Sequence, residues 1–543
     1  MARSTRSYVM VSCALFPALV ACGGDDPQTP VDSGSGADSA SDASNDAIPD
    51  ADAATLDADA AGPTFALGGT VHFLESGTKL RIKNGAQTVD VTQNGAFALP
   101  AVPAGSSYDV SVEVVGGNQL CSVRGGGKGT ANANVSDVAI ACVVAKEALS
   151  PTTLGQTWTT LSPTYVDFDP NAPFALTLEN DVATKALVSL TFPQLAPPLN
   201  GGGMYAIFVD GAAVSEGFTE DDGSAFGVPA ATYAVVDLPA GTHAVAAKWR
   251  TAYLPANPTK GITYDRTVPI RLSAIALGSL ATFGETAGSK ANQGSAVNQT
   301  ALLATEAAPV SVTLPAAAPL LELGFVPFLG CQAGAGVQIA LDDEGTKTST
   351  QHLSSWGERN SLLVPVVVPA ATAGKHTIGS YVGPATTGTY AKGDSSGKNT
   401  AVVRHDVIAF TPSATVLRGA APGDKTTSSS TFADLDAAAK VTLPLSSEHL
   451  VLVVLHEAAA WSTGNNPTGD VALDVDGLVT GLSTVRTTDP ARRGSAAPAF
   501  YLLRMTAGSH VIKGTFRARG DGVQGSSNVF HVVDPSVSAI VLE

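Results

Sequence analysis

The sequence has few charged residues, and basic ones are the scarcer kind. Charged residues make up 15% of the 543 positions, with 31 Lys and Arg against 48 Asp and Glu. Proteins that bind DNA or RNA carry clusters of positive charge that neutralise phosphates. No such cluster is present, so we expect no nucleic-acid partner.

Long apolar runs and helical patterns are also lacking. After the first 21 residues, the longest purely aliphatic run is Leu450–Leu455, whereas a membrane-spanning helix needs about 20 apolar residues. No stretch of ten or more residues reads as a convincing amphipathic helix. The sequence is instead rich in turn formers, with 55 Gly and 33 Pro, and in Val and Thr, which favours an all-β chain. At this length we expect three to five domains.

The first 21 residues have the pattern of an export signal. Arg3 and Arg6 precede an apolar run that is too short to span a bilayer. The run ends in Leu19-Val20-Ala21-Cys22, which resembles the lipobox of bacterial lipoproteins. The resemblance implies cleavage before Cys22, acylation of Cys22 (palmitate among the acyl groups), and attachment to a membrane through that lipid. The alternative is an ordinary signal peptide with an incidental cysteine.

The residue after Cys22 bears on which membrane holds the anchor. In the lipoprotein family an Asp at this position tends to retain the protein in the inner membrane, and here the residue is Gly23. The resemblance therefore implies an outer-membrane lipoprotein, on the cell surface or the periplasmic face.

Residues 22–63 form an acidic linker. Between Gly23 and Pro63 there are ten Asp, no Lys or Arg and no aromatic residue, so most of the net charge of −17 lies here. Such a segment cannot bury enough apolar surface to offset its chain entropy, and we expect it to be disordered. It would act as a spacer between the lipid and the folded domains.

Residues 64–147 form a first module of short alternating strands. Asn84-Gly85 and Asn94-Gly95 are hairpin signals between them. The module resembles the Ig-like or transthyretin-like β-sandwiches of bacterial surface lipoproteins. Cys121 and Cys142 lie on neighbouring strands in an oxidising compartment, which favours a disulfide over a metal pair. Cys331 is left over, and we interpret it as a buried thiol, the alternatives being a nucleophile or an intermolecular partner.

The remaining chain repeats one pattern three times, with a period of about 133 residues. An Ala-Gly-x-His turn recurs around His243, His376 and His510, preceded each time by an apolar strand that ends in an Asp. Alternating apolar residues predict strands with one buried face. We predict three tandem β-sandwiches, jelly-roll or Ig-like, over residues 150–283, 284–412 and 413–543.

The recurring histidines are the most distinctive polar residues of the repeat. Each is placed just after a turn glycine, where an imidazole can bond a backbone carbonyl, so we assign His243, His376 and His510 a structural role in the turn. Metal or ligand binding is the alternative, but no second ligand keeps a metal-like spacing to all three. Asp210, Asp343 and Asp476 are interpreted as turn residues, with calcium binding as the alternative.

Two catalytic patterns are incomplete. The segment Gly393–Gly397 matches G-x-S-x-G, but it lies among polar residues rather than between a buried strand and a helix. His456-Glu457 begins like a zinc-protease motif, but Ala460 stands where the second histidine is needed. We therefore predict no catalytic residue, no metal and no cofactor.

The tryptophans Trp158, Trp356 and Trp461 lie outside the repeat landmarks and are candidate platforms for stacking on sugars, with core packing as the alternative. The architecture favours a non-enzymatic envelope protein that presents β-sandwiches for adhesion or for binding a glycan or protein ligand. A secreted polysaccharide hydrolase or lyase and a purely structural spacer are the other hypotheses.

Overall fold

The computed structural model describes residues 62–543 except for short segments, and Gly62–Glu543 cluster as one compact unit. The described part is all-β, as predicted: it has 42 strands, one 3-10 turn at Leu277–Ser279 and no α-helix. None of the described helices is long and apolar enough to cross a membrane. The segments left out are 154–156, 170, 197–200, 221–227, 254–260, 266–267, 293–296, 300, 302, 332–335, 344–345, 355–358, 385–389, 393–401, 464–467, 487–497 and 520–528.

The first module is a sandwich of two four-stranded sheets, β4-β1-β8-β6 and β3-β2-β5-β7. Its strands are β1 (Thr64–His72), β2 (Lys79–Asn84), β3 (Gln87–Val91), β4 (Gly95–Pro103), β5 (Ser107–Gly116), β6 (Cys121–Gly125), β7 (Lys128–Thr130) and β8 (Val135–Cys142). Cys121 and Cys142 are direct partners in the β6–β8 register and form a disulfide.

The first repeat comprises β9 (Ala145–Leu149), β10 (Thr157–Thr160), β11 (Val166–Asp167), β12 (Ala175–Asn180), β13 (Thr184–Ala196), β14 (Gly202–Val209), β15 (Ala212–Glu220), β16 (Val228–Leu238), β17 (Gly241–Tyr253), β18 (Ile262–Asp265) and β19 (Arg271–Ala276). Strand β9 begins ahead of residue 150, but it pairs with β19 of this repeat.

The second repeat comprises β20 (Phe283–Asn292), β21 (Val297–Gln299), β22 (Leu303–Ala304), β23 (Val310–Leu314), β24 (Ala318–Cys331), β25 (Gly336–Asp343), β26 (Thr346–Ser354), β27 (Arg359–Ala371), β28 (Gly374–Pro384), β29 (Tyr390–Lys392) and β30 (Val402–Phe410).

The third repeat comprises β31 (Val416–Ala420), β32 (Asp424–Thr427), β33 (Ala433–Asp434), β34 (Lys440–Leu445), β35 (His449–His456), β36 (Ala459–Thr463), β37 (Thr468–Val475), β38 (Leu478–Arg486), β39 (Ala499–Met505), β40 (Gly508–Arg519), β41 (Val529–Val533) and β42 (Ser536–Val541).

All three repeats pair their strands in the same order. One sheet of each is β9-β19-β13-β16, β20-β30-β24-β27 or β31-β42-β35-β39. The other is β12-β17-β14-β15, β23-β28-β25-β26 or β34-β40-β37-β38. Counting the eight principal strands of a repeat from one to eight, the sheets run 1-8-3-6 and 2-7-4-5. This connectivity is that of a jelly roll rather than an immunoglobulin sandwich.

The third strand of each 1-8-3-6 sheet sends apolar side chains into two different cores. In the third repeat, Val451, Val453 and Leu455 on β35 point into the core of their own sandwich. Between them, Leu452 and Val454 join a second core that contains residues of all three repeats. Burial on both faces explains why this strand is a continuous aliphatic run instead of an alternating one.

The shared core is built from equivalent positions. The direct cross-strand pairs Leu187–Ile275, Leu321–Ile408 and Leu452–Ile540 all lie in it. The first repeat contacts the second through β15 and β16, which lie against β24 and β27. The second contacts the third through β26 and β27, which lie against β31, β35 and β36. The third contacts the first through β38 and β39, which lie against β13, β16 and β19. Strands five and six of one repeat thus pack against the next repeat in turn, and the three contacts close into a ring.

Candidate functional site

The recurring histidines are each held by both ring nitrogens. Nδ1 of His243 lies 2.7 Å from Asp210 Oδ2, and Nε2 lies 2.8 Å from the carbonyl oxygen of Pro239. His376 repeats this with Asp343 at 3.0 Å and the Thr372 carbonyl at 2.8 Å.

The third histidine follows the same pattern. His510 contacts Asp476 at 2.7 Å and the carbonyl of Thr506 at 2.9 Å. The carboxylate of Asp476 also accepts the backbone N–H of Val511 at 2.7 Å. In this turn Gly508 has φ +147°, a conformation that favours glycine. The histidine therefore ties its own turn to the end of the neighbouring hairpin.

The electrostatics fit charged imidazoles at two of these turns. Burial opposes the charged form of His243, but its hydrogen bonds to Asp210 and to the Pro239 carbonyl prevail and raise its pKa. The hydrogen bond to Asp476, with that to Thr506, raises the pKa of His510. The hydrogen bonds from the histidines lower the pKa of Asp210 and Asp476 in return. With both nitrogens engaged, these rings have no lone pair directed at a metal.

The other sequence candidates are separated in space. Trp158 is buried and packs on Tyr264, with ring centroids 6.0 Å apart. Trp461 lies on β36 and Cys331 ends β24, but the side chains of both are outside the described part. Cys22, Trp356 and the Gly393–Gly397 segment also lie outside the described residues. Among the residues that are described, no group of three His, Cys, Asp or Glu is placed to hold a metal ion.

A cleft of about 730 Å³ opens at the first junction, where the first repeat packs on the second. Its walls come from strands β15 and β16 of the first repeat and from β20 and β30 of the second. The lining residues are Ala213, Val214, Ser215, Glu216, Val235, Val236, Asp237, Lys290, Ala291, Val402 and Arg404.

A buried charge network adjoins the cleft through Arg404, which lines the cleft and interacts with Asp406. Arg404 is 7% exposed and donates a hydrogen bond to the carbonyl of Val214 across the junction. Close by, the hydroxyl of Tyr233 lies 2.9 Å from Asp406 Oδ2 and 2.8 Å from the carbonyl of Leu323. Burial raises the pKa of Asp406 to about 6, although Tyr233 and Arg404 oppose the rise.

The rim carries carboxylates and an amine. The Tyr165 hydroxyl donates to Glu216 at 2.6 Å, which holds that carboxylate in place. Asp237 is 82% exposed and pairs with Lys185 at 2.5 Å. Lys290 is exposed on β20. The cleft therefore offers hydrogen-bond acceptors from the first repeat and cationic donors from the second.

None of the cleft residues was a candidate from the sequence. Glu216 and Asp237 belong to one repeat and Lys290 and Arg404 to the next, so no local spacing links them. The available signal was Arg404-His405-Asp406, three polar residues inside an otherwise apolar closing strand.

No family model and no curated protein matches the chain. Among solved structures, two crystal forms of PNGF-II are similar at 8% identity with TM-scores of 0.23 and 0.22, over 60% of this chain and 74% of theirs. A Sulfolobus turreted icosahedral virus structure follows at 10% identity and TM-score 0.16, covering 73% of this chain and 90% of that one. Insecticidal δ-endotoxin Cry8Ea1 of Bacillus thuringiensis is 9% identical with a TM-score of 0.14, covering 68% of this chain and 53% of that one. Similarities this weak carry no argument about function.

Proposed function

We propose that the chain is a lipid-anchored protein of the bacterial outer membrane whose jelly-roll ring binds a ligand in the cleft of the first junction. The cleft carries the proposal. Its volume of about 730 Å³ lies within the roughly 300–1,000 Å³ range of small-ligand sites. It also joins charged groups of two repeats, whereas the recurring histidines are fully used in holding turns.

The packing of the repeats supports binding over a purely structural spacer. Modules that serve only to add length need no shared interior, but these repeats bury equivalent leucines and isoleucines together. Such packing fixes the walls of the cleft relative to each other, and a preorganised site loses less entropy on binding.

A glycan array tests ligand binding directly. The compact unit Gly62–Glu543 is applied to the array, and release of soluble sugar from the same glycans is measured in parallel. Binding without release is the expected result. Release of sugar would favour the hydrolase or lyase hypothesis. Neither binding nor release would favour the purely structural spacer.

A pair of alanine substitutions locates the site. Ala213 lines the cleft, while Ala212 is exposed next to it on the same strand and is not part of the lining. Ala213→Trp should fill the cleft and abolish binding, and Ala212→Trp should leave binding unchanged. Equal binding by both variants would contradict the assigned site.

The anchor has its own test. Mass spectrometry of the N-terminal peptide from the outer-membrane fraction should find acylated Cys22. An unmodified N-terminus in a cytosolic fraction would contradict the lipoprotein proposal.

A further inference from the structure

The cleft of the first junction joins two kinds of charge. Glu216 and Asp237 present carboxylates from the first repeat, and Lys290 and Arg404 present cationic donors from the second. The formal charges of these four groups cancel. A ligand that offers mainly anionic groups, such as the phosphates of nucleic acid, gains little from such a surface, because it meets as much repulsion as attraction. A ligand that carries both anionic groups and hydroxyl donors can satisfy both kinds of charge.

The buried arginine is the most distinctive group of the four. Its side chain is 7% exposed, yet it lines the cleft. Within the described part of the chain its Nε has no hydrogen-bond acceptor, while another guanidinium nitrogen donates to the carbonyl of Val214. The bond to a neutral carbonyl leaves the guanidinium positively charged at the cleft, where an anionic group of a ligand can pair with it. A carboxylate matches a guanidinium best.

The two rim carboxylates can accept further hydrogen bonds from a ligand, although Asp237 already pairs with Lys185. Glu216 has one oxygen bonded to the Tyr165 hydroxyl, and Asp237 is largely exposed to solvent. Adjacent hydroxyl groups of a sugar ring donate well to such carboxylates. An acidic peptide would instead bring further carboxylates against both of them.

We infer that the cleft binds an acidic polysaccharide of the uronic-acid type. Sugar carboxylates lie on the Lys290 and Arg404 side, and ring hydroxyls donate to Glu216 and Asp237. This inference rests on the proposed function, since it names the ligand class of the same cleft.

A matched pair of sugars tests the class of ligand. The full-length protein in detergent is titrated calorimetrically with an oligogalacturonate and with its carboxyl-reduced, neutral counterpart. The oligogalacturonate should bind at least tenfold more tightly, and its affinity should fall as NaCl is raised. Equal affinity for both sugars would overturn the inference but leave the proposed function standing. Binding of an acidic peptide in place of the uronate would overturn it as well.

Two variants and a control test the site. Lys290→Gln is exposed and should fold normally, with about tenfold weaker binding of the oligogalacturonate. Arg404→Lys keeps the charge but loses the planar donor pair, and it should also weaken binding about tenfold or more. Lys128→Gln removes a lysine that is 77% exposed in the first module and should bind as the unaltered protein does. Unchanged binding by Lys290→Gln and Arg404→Lys would overturn the inference. If the oligogalacturonate does not bind and no glycan on the array binds either, the proposed function itself would be contradicted.

Discussion

Nδ1 of His72 in the first module lies 2.7 Å from Oδ2 of Asp181 in the first repeat. The other oxygen of Asp181 accepts the backbone N–H of Phe73 at 2.7 Å. His243 and Ala244 make the same two bonds to Asp210 inside a single repeat. The same arrangement of a histidine, an aspartate and the next backbone N–H therefore fixes a turn within a repeat and attaches the first module to the ring.

Removing this attachment should loosen the first module. Asp181→Ala leaves the Phe73 N–H without its acceptor, and Phe73 has φ +60°, a conformation costly for a non-glycine residue. We expect a loss of about 1–3 kcal/mol and faster amide exchange in β1. Asp237→Ala removes a largely exposed carboxylate and serves as the control. Unchanged exchange in Asp181→Ala would contradict the role assigned to the pair.

The turn histidines should make stability depend on pH. The pKa of His243 is raised above 6.5, so its contribution is complete below about pH 6.5 and is lost as the pH rises through the folded-state value. The pKa of Asp210 is lowered below 3.8, so its contribution is lost only as the pH falls through that lower value. The melting temperature should fall between pH 6 and pH 8.5, and less steeply in His243→Gln.

Metal addition distinguishes the turn role from a metal site. The melting temperature of the unaltered protein should not change with added divalent metal, and His376→Ala should be less stable with or without it. A metal-dependent increase that disappears in His376→Ala would overturn the structural role.

The buried carboxyl of Glu457 should make the folded protein less stable as the pH rises. Glu457 is 2% exposed, and burial raises its pKa from 4.5 to about 8. Between these values the folded protein keeps a proton that the unfolded carboxyl has released, so stability falls as the pH rises through this window. Glu457→Gln should flatten the fall in melting temperature between pH 5 and pH 8. The control Glu113→Gln, which changes an exposed residue of the first module, should leave that fall as it is. Parallel pH profiles of Glu457→Gln and the unaltered protein would contradict the assignment.

The shared core should make the repeats unfold together. Leu452→Ala removes a side chain that is 2% exposed in this core and should cost about 2–5 kcal/mol. Calorimetry should still give one transition for all three repeats, shifted to lower temperature. Leu478→Ala, at 69% exposure, should change little. Separate transitions, with only the third shifted, would mean that the repeats are independent.

The disulfide should contribute mainly to the first module. Cys121 and Cys142 are 21 residues apart, and closing a loop of this size stabilises a fold by about 3 kcal/mol. Urea unfolding of Cys121→Ala/Cys142→Ala should show this loss in the first module. An unchanged urea midpoint would contradict it.

The sequence predicted the strands and the repeat because both are local patterns. Alternation at Val245 and Ala247 marks a strand with one buried face, and the Ala-Gly-x-His turns keep one period along the chain. Jelly-roll and immunoglobulin connectivity share this alternation, so the choice between them depended on long-range pairing such as β9 with β19.

The ring and its cleft were not predictable from the same patterns. A strand that is apolar on both faces, such as β35, shows that both faces are buried but not what covers the second one. The cleft depends on Glu216 and Arg404 meeting across a junction between repeats, and no periodicity encodes that contact. His456-Glu457, which resembled part of a zinc motif, proved to be a buried pair at the end of β35.

Hydrogen exchange with a bound ligand tests the central claim most directly. The unit Gly62–Glu543 is exchanged with and without a glycan selected on the array, and peptides are compared by mass spectrometry. Ligand binding at the first junction predicts protection in the cleft segments 213–216, 235–237, 290–291 and 402–404, with none in the third repeat. Protection confined to the first module or the third repeat would contradict the account.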